Sequence, residues 1–295
     1  MNFFEKIVHA FSADMPKPSM YGWFHIMFLV LTIGLTVFLC LKCRDCKAKT
    51  FKWIVASAWI VMLVLEIYKQ IDFSFHFVEE LGGGYWDYQW YAFPYQLCST
   101  PLYVLPLVAF CKQGKFRDSC MAYISTFALF GGLVTMIFPA TVFVETIGIN
   151  IQTMTHHGLQ IVLGIFILVH ERKRLDFKFF LRAIYVFGVA MAIAMVLNLS
   201  VHAGITEEFN MFYISPYFPC SLPLLDLIYA KTPYAVFLLI YIIGFVLAAL
   251  AIYYIQYGFI RLGQNLKKKA EAKRNSQNLL AIEGQSSEMD DKQNE

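Results

Sequence analysis

The sequence predicts an all-α polytopic membrane protein, a seven-helix transmembrane bundle with its N-terminus outside and its C-terminus inside. Three observations carry that expectation. Of 295 residues, 58% are hydrophobic, 17% aromatic and only 15% charged, where soluble domains hold about 25% charged residues. The apolar residues fall in runs approaching the ~20 that a membrane-crossing helix needs, because hydrocarbon offers no water to backbone polar groups. The connections alternate in charge, as they do when Lys and Arg collect on the cytoplasmic side.

Residues 1–20 precede the first span and lack the continuous apolar stretch and small-residue cleavage pattern of a signal peptide. Phe3, Phe4, Ile7, Val8 and Phe11 recur at helical spacing, which predicts an amphipathic interfacial arm on the outer leaflet. A frayed chain end is the plainer alternative. The membrane domain, residues 21–260, contains apolar runs at 21–41, 53–71, 94–110, 119–138, 155–169, 179–199 and 233–257. The third and fifth are short, and the third carries Pro94, Pro101 and Pro106.

Loop charge then orients the spans. Lys42, Arg44, Lys47, Lys49 and Lys52 occupy the first connection, Lys112, Lys115 and Arg117 the third, and Arg172, Lys173, Arg174, Lys178 and Arg182 the fifth. The second carries Asp72, Glu79, Glu80 and Asp87, the fourth only Glu145, and the sixth Glu207, Glu208, Asp226 and Lys231. The first set reads as inside and the second as outside. Residues 261–295 begin basic (LKKKAEAKR), end acidic (DDKQNE), and read as a disordered cytoplasmic tail.

Polar residues within the spans concentrate near the outer side. Glu66, Lys69 and Gln70 close the second span, Gln96, Cys98 and Ser99 open the third, His156, His157 and Gln160 open the fifth, and Asn198 closes the sixth near His202. His25 lies just inside the first. Ionisable groups in a bilayer face a cavity or one another, so this layer predicts a cavity open to the outer leaflet or external solution.

Cys98 and the histidine pair are the chemically active members of that layer. A thiol in the first turns of a helix is favoured as thiolate by the macrodipole, and a neighbouring imidazole favours it further. The alternatives are plain packing and a disulfide with Cys220. Adjacent helical residues point about 100° apart, so one ring faces the cavity while the other caps the helix or meets headgroups. A metal reading would draw on His156, His157, His202 and Glu66, but no ligand pair sits at i, i+4, and no metal or other cofactor is expected. Glu66 and Lys69 at i, i+3 neutralise one another, or Glu66 orients a histidine.

Other motifs are weaker. CLKCRDC spaces Cys40, Cys43 and Cys46 by three beside the cytoplasmic face, which resembles part of a zinc or cluster site without a fourth ligand. Juxtamembrane thiols in a reducing compartment are the simpler interpretation. The outer segments GGGYWDYQWYAFP and FYISPYFPCSLPLLDLIY suit either a lid or an ordinary aromatic belt. Asn198-Leu199-Ser200 matches a glycosylation pattern at a helix end that disfavours its use.

EIYKQ in the second span, an aromatic loop into FPYQLCS, and HHG in the fifth resemble the YwaF family of bacterial multi-pass membrane proteins over roughly residues 20–260. That family is similar to a eukaryotic transmembrane acyltransferase that remodels ether phospholipids, and more distantly to membrane hydrolases of fatty-acid esters. The resemblance implies Cys98 as the acyl-accepting nucleophile and a histidine of the HHG, His156 in preference to His157, as the base.

The function expected is a lipid acyltransferase or lipid-ester hydrolase of the cell membrane. Cys98, His156, His157 and Glu66 would be catalytic, with Gln96, Ser99, Gln160, Asn198 and Lys69 binding substrate. The expected partner is a membrane phospholipid or fatty-acyl lipid, with no nucleic acid. The alternative is a non-enzymatic heptahelical transporter or receptor with a polar site in the outer half of the bundle, and a third possibility is an interaction protein with a Cys98–Cys220 disulfide.

Overall fold

The computed structural model describes residues 3–78 and 83–293. Glu79 and Glu80 of the second connection lie outside them, as do the side chains of Phe4 and Phe11 and those from residue 278 onward. Helix α1 spans Phe3–Phe11, α2 Trp23–Lys42 and α3 Ala48–Ser74; a hairpin of β1 (Phe75–Val78) and β2 (Gly83–Trp86) follows. Then come α4 Pro101–Phe110, α5 Lys115–Tyr123, a π-helical turn Ile124–Ala128, α6 Leu129–Ile137, α7 Ile147–His170, α8 Phe177–Gly204, α9 Leu225–Lys231 and α10 Tyr234–Gln293.

Among the described residues, six helices are long and apolar enough to cross a membrane: α2, α3, the continuous Lys115–Ile137, α7, α8, and the Tyr234–Gln277 portion of α10. The span expected over 94–110 is the exception, a shorter apolar helix Leu97–Phe110. Its 14 residues reach about 21 Å at 1.5 Å per residue, short of the ~30 Å hydrocarbon core. Proline is the cause. Phe93, before Pro94, is held extended at φ −50°, ψ 132°, as the ring of a following proline requires. Pro101 opens α4 at N1, where its missing N–H is harmless.

The helices share two ends. At one, Arg117 of α5 donates to the Val108 carbonyl of α4 at 2.6 Å and lies over the Phe51 ring of α3, while Asp118 takes Arg174 at 2.8 Å and Arg182 at 3.3 Å. At this basic end Arg172 also holds the α2–α3 connection by an ion pair to Asp45. At the other, the Tyr21 hydroxyl donates to the Ile137 carbonyl at 3.0 Å and His25 Nε2–H to the Met136 carbonyl at 2.8 Å, joining the start of α2 to the end of α6. The C-terminal part of the short α4 thus lies at the basic end.

Helix α7 is the axis of the bundle. Of its most apolar window 78% is buried, against 22% for α2 and 28% for α8. It starts at Ile147, eight residues before the expected start at Thr155. Asn150 stabilises that added turn, accepting from Val144 N–H at 3.0 Å and donating to its carbonyl at 2.8 Å. Packing between apolar helices relies on close approach rather than on the hydrophobic effect, and glycine supplies it. A Cβ on Gly132 of α6 would fall 2.9 Å from both the Gln160 Cβ and the His157 carbonyl, and one on Gly158 of α7 2.6 Å from the Thr32 hydroxyl of α2.

The hairpin is a small β element in a chain expected to be all-α. Phe75 pairs with Trp86 and His76 with Tyr85 in antiparallel register. Only glycine fits at position 84, where a Cβ would meet the Phe75 ring at 2.5 Å.

The chain divides into two units, Met1–Tyr253 and Tyr254–Glu295. In the second, Arg261 Nε–H donates to the Tyr257 hydroxyl at 2.8 Å, Lys267 pairs with Glu271 at 3.6 Å, and the side chains of residues 265–277 are exposed.

Candidate functional site

A cavity of about 340 Å3 opens at the end of the bundle where α3 finishes and α7 begins, and Glu66, Lys69, Cys98, Ser99, His156 and His157 all line it. Gln96, Gln152, Thr153 and Tyr213 complete its polar wall. The residues expected to form a polar layer are thus largely brought together, from α3, α7 and the turn before α4.

Cys98 is half-buried in the 3-10 turn Leu97–Ser99 that precedes α4, so it lies before the regular helix rather than within its first turns. Its carbonyl oxygen accepts two hydrogen bonds, from His156 Nε2–H at 2.9 Å and Gln160 Nε2–H at 2.5 Å. A Cβ on Gly131 would come 3.7 Å from the Cys98 Cα, an ordinary van der Waals contact, so α6 packs directly beside this turn. All seven cysteines are free, Cys98 and Cys220 included.

These bonds set both histidine tautomers. A carbonyl needs a donor, and a neutral imidazole has one N–H. His156 therefore carries its hydrogen on Nε2, and its Nδ1 is a buried acceptor without a partner among the described residues. His157 carries its hydrogen on Nδ1, which donates to the Thr153 carbonyl one turn back at 2.7 Å, and its Nε2 is the bare nitrogen. The rings lie 5.4 Å apart at 65°. Both line the cavity, 2% and 8% exposed, which corrects the expectation that only one would face it. Because α7 starts early, the pair sits nine residues into the helix, about 14 Å along its axis. At that depth neighbouring elements enclose both sides of the helix, and neither ring serves as a cap.

Glu66 is fully engaged. Lys69 Nζ reaches it at 2.7 Å, Gln70 Nε2 at 2.7 Å and Gln152 Nε2 at 3.4 Å, and neither histidine is among these partners. The ion pair is the arrangement present, with Lys69 beside the thiol and imidazoles.

Other expected site residues do structural work. Gln96 lines the cavity, but its amide donates to the Asn210 carbonyl at 2.9 Å and accepts from Phe212 N–H at 2.7 Å. Asn198, fully buried, donates to the Met211 carbonyl at 3.0 Å and accepts from Met211 N–H at 2.6 Å. Gln160 lies behind Cys98, outside the cavity wall. Gln96 and Asn198 thus fasten the segment 210–213 over the cavity. Phe212 and Tyr213 both adopt φ of 58°, a left-handed conformation that costs about 1–2 kcal/mol per residue. Tyr241 and Tyr234 help to hold it through their hydroxyls on the Phe212 and Ile214 carbonyls, at 2.8 and 2.6 Å. Burial pushes the Tyr213 phenol up to about 12, keeping it a neutral donor at the cavity wall.

His202 stacks on Tyr217 at 4.1 Å, away from the cavity wall. Among the described residues, no group of three or more His, Cys, Asp or Glu is arranged to hold a metal ion. Gln152, Thr153, Tyr213 and the Gly131-Gly132 pair were missing from the expected site. A double glycine in an apolar helix was the legible signal for the last of these.

No curated protein and no solved structure matches the chain. The sequence profile of the TMEM164 family matches residues 20–257, which takes in every helix from α2 to α9, the apolar part of α10 and the whole cavity wall. The chain therefore belongs to the TMEM164 family, and it is a multi-pass integral membrane protein.

Proposed function

We propose that the protein is a lipid acyltransferase or lipid-ester hydrolase of the cell membrane, with Cys98 as nucleophile and His156 as base. One observation supports this above all: the Cys98 residue and a buried, partnerless His156 Nδ1 share one cavity. A buried acceptor left without a partner costs about 1–3 kcal/mol, and such a group calls for a functional reason. In this reading the thiol proton passes to His156 Nδ1 and the thiolate attacks the ester carbonyl of a phospholipid. The departing alkoxide takes that proton and leaves an acyl thioester on Cys98, which a lysolipid hydroxyl or water then cleaves, restoring the thiol. Ser99 and Lys69 are the donors available to the developing oxyanion, since both polar atoms of Gln96 are engaged by backbone. The resemblance to YwaF proteins supports the same chemistry.

The short α4 counts as a seventh crossing in this reading. In this reading the cavity end, on the side of the acidic connections, faces the outer leaflet and the basic end faces the cytoplasm. Labelling with an acyl-chain activity probe is the test: strong labelling abolished in Cys98→Ala supports the reading, and equal labelling of the mutant ends it.

The buried Glu66–Lys69 pair supports a second reading, a transporter or receptor that binds a small solute or relays protons between ionisable groups. Flux in liposomes that survives Cys98→Ser and fails in Glu66→Gln would select it.

A further inference from the structure

The α2–α3 connection presents two thiols across one tight turn. Cys43 caps α2, and the turn Cys43-Arg44-Asp45-Cys46 is closed by a hydrogen bond from Cys46 N–H to the Cys43 carbonyl at 3.0 Å. Both cysteines are free and half-buried. The first and fourth residues of such a turn have Cα atoms within about 7 Å, and a disulfide asks for about 4.4–6.8 Å. The thiols also sense one another: burial raises the Cys46 thiol above its ordinary value, and a charge on Cys43 raises it further. Cys40 is placed differently. It lies three residues before Cys43 at the end of α2, where Cβ atoms stand about 5–6 Å apart, beyond the ~3.5–4.5 Å of a disulfide.

The turn is held from outside by the end of α7, the helix that carries the histidine pair. The Arg44 carbonyl accepts from His170 Nδ1–H and from Arg172 Nη1–H, both at 3.1 Å, and Asp45 pairs with Arg172. These contacts keep Arg44 and Asp45 in the conformation that brings their flanking cysteines together.

We propose that Cys43 and Cys46 form a redox-modifiable dithiol that closes to an intramolecular disulfide on meeting a small-molecule disulfide such as oxidised glutathione. One cysteine thiolate attacks a sulfur of the small disulfide, forming a mixed disulfide and expelling one glutathione thiolate. The second cysteine thiolate attacks the protein sulfur of that mixed disulfide, forms the Cys43–Cys46 bond and expels the other. The two protons from the cysteines go to the two departing thiolates; the protein loses two electrons and the small disulfide gains them. The closed form locks the α2–α3 turn in the shape that α7 grips.

The full-length protein is equilibrated in glutathione buffers of graded ratio, acid-quenched, alkylated and analysed by peptide mass spectrometry. The expected product joins Cys43 to Cys46, with two hydrogens lost, no alkylation at either thiol, and full recovery on reduction. It persists in Cys40→Ser and vanishes in Cys43→Ser and Cys46→Ser, each of which keeps a glutathione adduct on the remaining thiol. Because the turn is held by α7, Arg172→Ala lowers the oxidised-to-reduced ratio at least about threefold in a fixed buffer, a loss of preorganisation. Three results overturn the proposal: a bridge that includes Cys40, stable glutathione adducts on both Cys43 and Cys46, or full alkylation of both at every ratio. An unchanged ratio in Arg172→Ala overturns the role given to α7.

Discussion

His156 holds the main chain of Cys98: its Nε2–H donates to the Cys98 carbonyl at 2.9 Å, which leaves Nδ1 bare in the same cavity. One ring thus fixes the position of the Cys98 backbone and offers the acceptor nitrogen that the proposed reading uses as a base. The two duties are separable, because a glutamine amide can donate to the carbonyl but cannot act as a base.

His156→Gln is accordingly expected to fold with a midpoint within a few degrees of wild type, yet to lose acyl-probe labelling by at least about 100-fold, the scale of general-base catalysis. Thermal unfolding in detergent and labelling kinetics measure the two halves. Retained labelling would move the base to His157.

Lys69→Met removes the cation from a carboxylate that is 6% exposed, leaving Glu66 with Gln70 and Gln152 alone. Breaking one side of a buried pair costs about 3–5 kcal/mol, whereas replacing both sides is often close to neutral. Lys69→Met should therefore unfold well below wild type, and Glu66→Gln with Lys69→Met should recover most of the difference. A double mutant less stable than the single would contradict that assignment.

Gly132→Ala forces a methyl to within 2.9 Å of Gln160 and His157. A cost of about 1–3 kcal/mol is expected from overpacking, together with weaker labelling, because α6 is pushed off the face of α7 that positions Cys98. Gly188→Ala on α8, where nothing lies within 4 Å, is the control and should match or exceed wild-type stability.

Asn198→Ala strands the N–H of Met211 and leaves its carbonyl only the 3.4 Å bond from Ile214 N–H, costing about 1–3 kcal/mol. Deuterium uptake across 210–215 should rise while the core of α7 stays protected. Unchanged uptake would show that Gln96 and the tyrosines suffice to hold the segment.

How much of this was legible from the residues depended on what each element answers to. Helices α2 and α8 are largely unburied apolar cylinders, and hydropathy located them closely. The start of α7 was missed because Asn150, Gln152 and Thr153 interrupt its apolar run; they are tolerated there because each finds a partner, Val144, Glu66 and Gln152 respectively. The hairpin was missed because its strands are four residues each, too few for periodicity to speak. In the site, Cys98, both histidines, Glu66 and Lys69 stood out as costly residues in apolar surroundings, and they do share a cavity. Their individual bonds were not legible. Gln96 meets Asn210 and Phe212 more than 110 positions away, and no local pattern records which amide fastens a loop and which remains free for a ligand.

The shortness of α4 has a further consequence, for the chain ahead of it. An ordinary bilayer is about 9 Å thicker than the 21 Å of Leu97–Phe110, and on the cavity side the chain before Leu97 is irregular, with the short turn Trp90–Ala92. Backbone that is neither helix nor closed barrel survives at that depth only where protein buries it or water reaches it. Protein does so here: the Ala92 carbonyl accepts from Gln70 Nε2–H at 2.8 Å, the Cys98 carbonyl from His156 and Gln160, and Leu97 and Ser99 are buried, so side chains of α3 and α7 are what let this segment stand outside a regular helix.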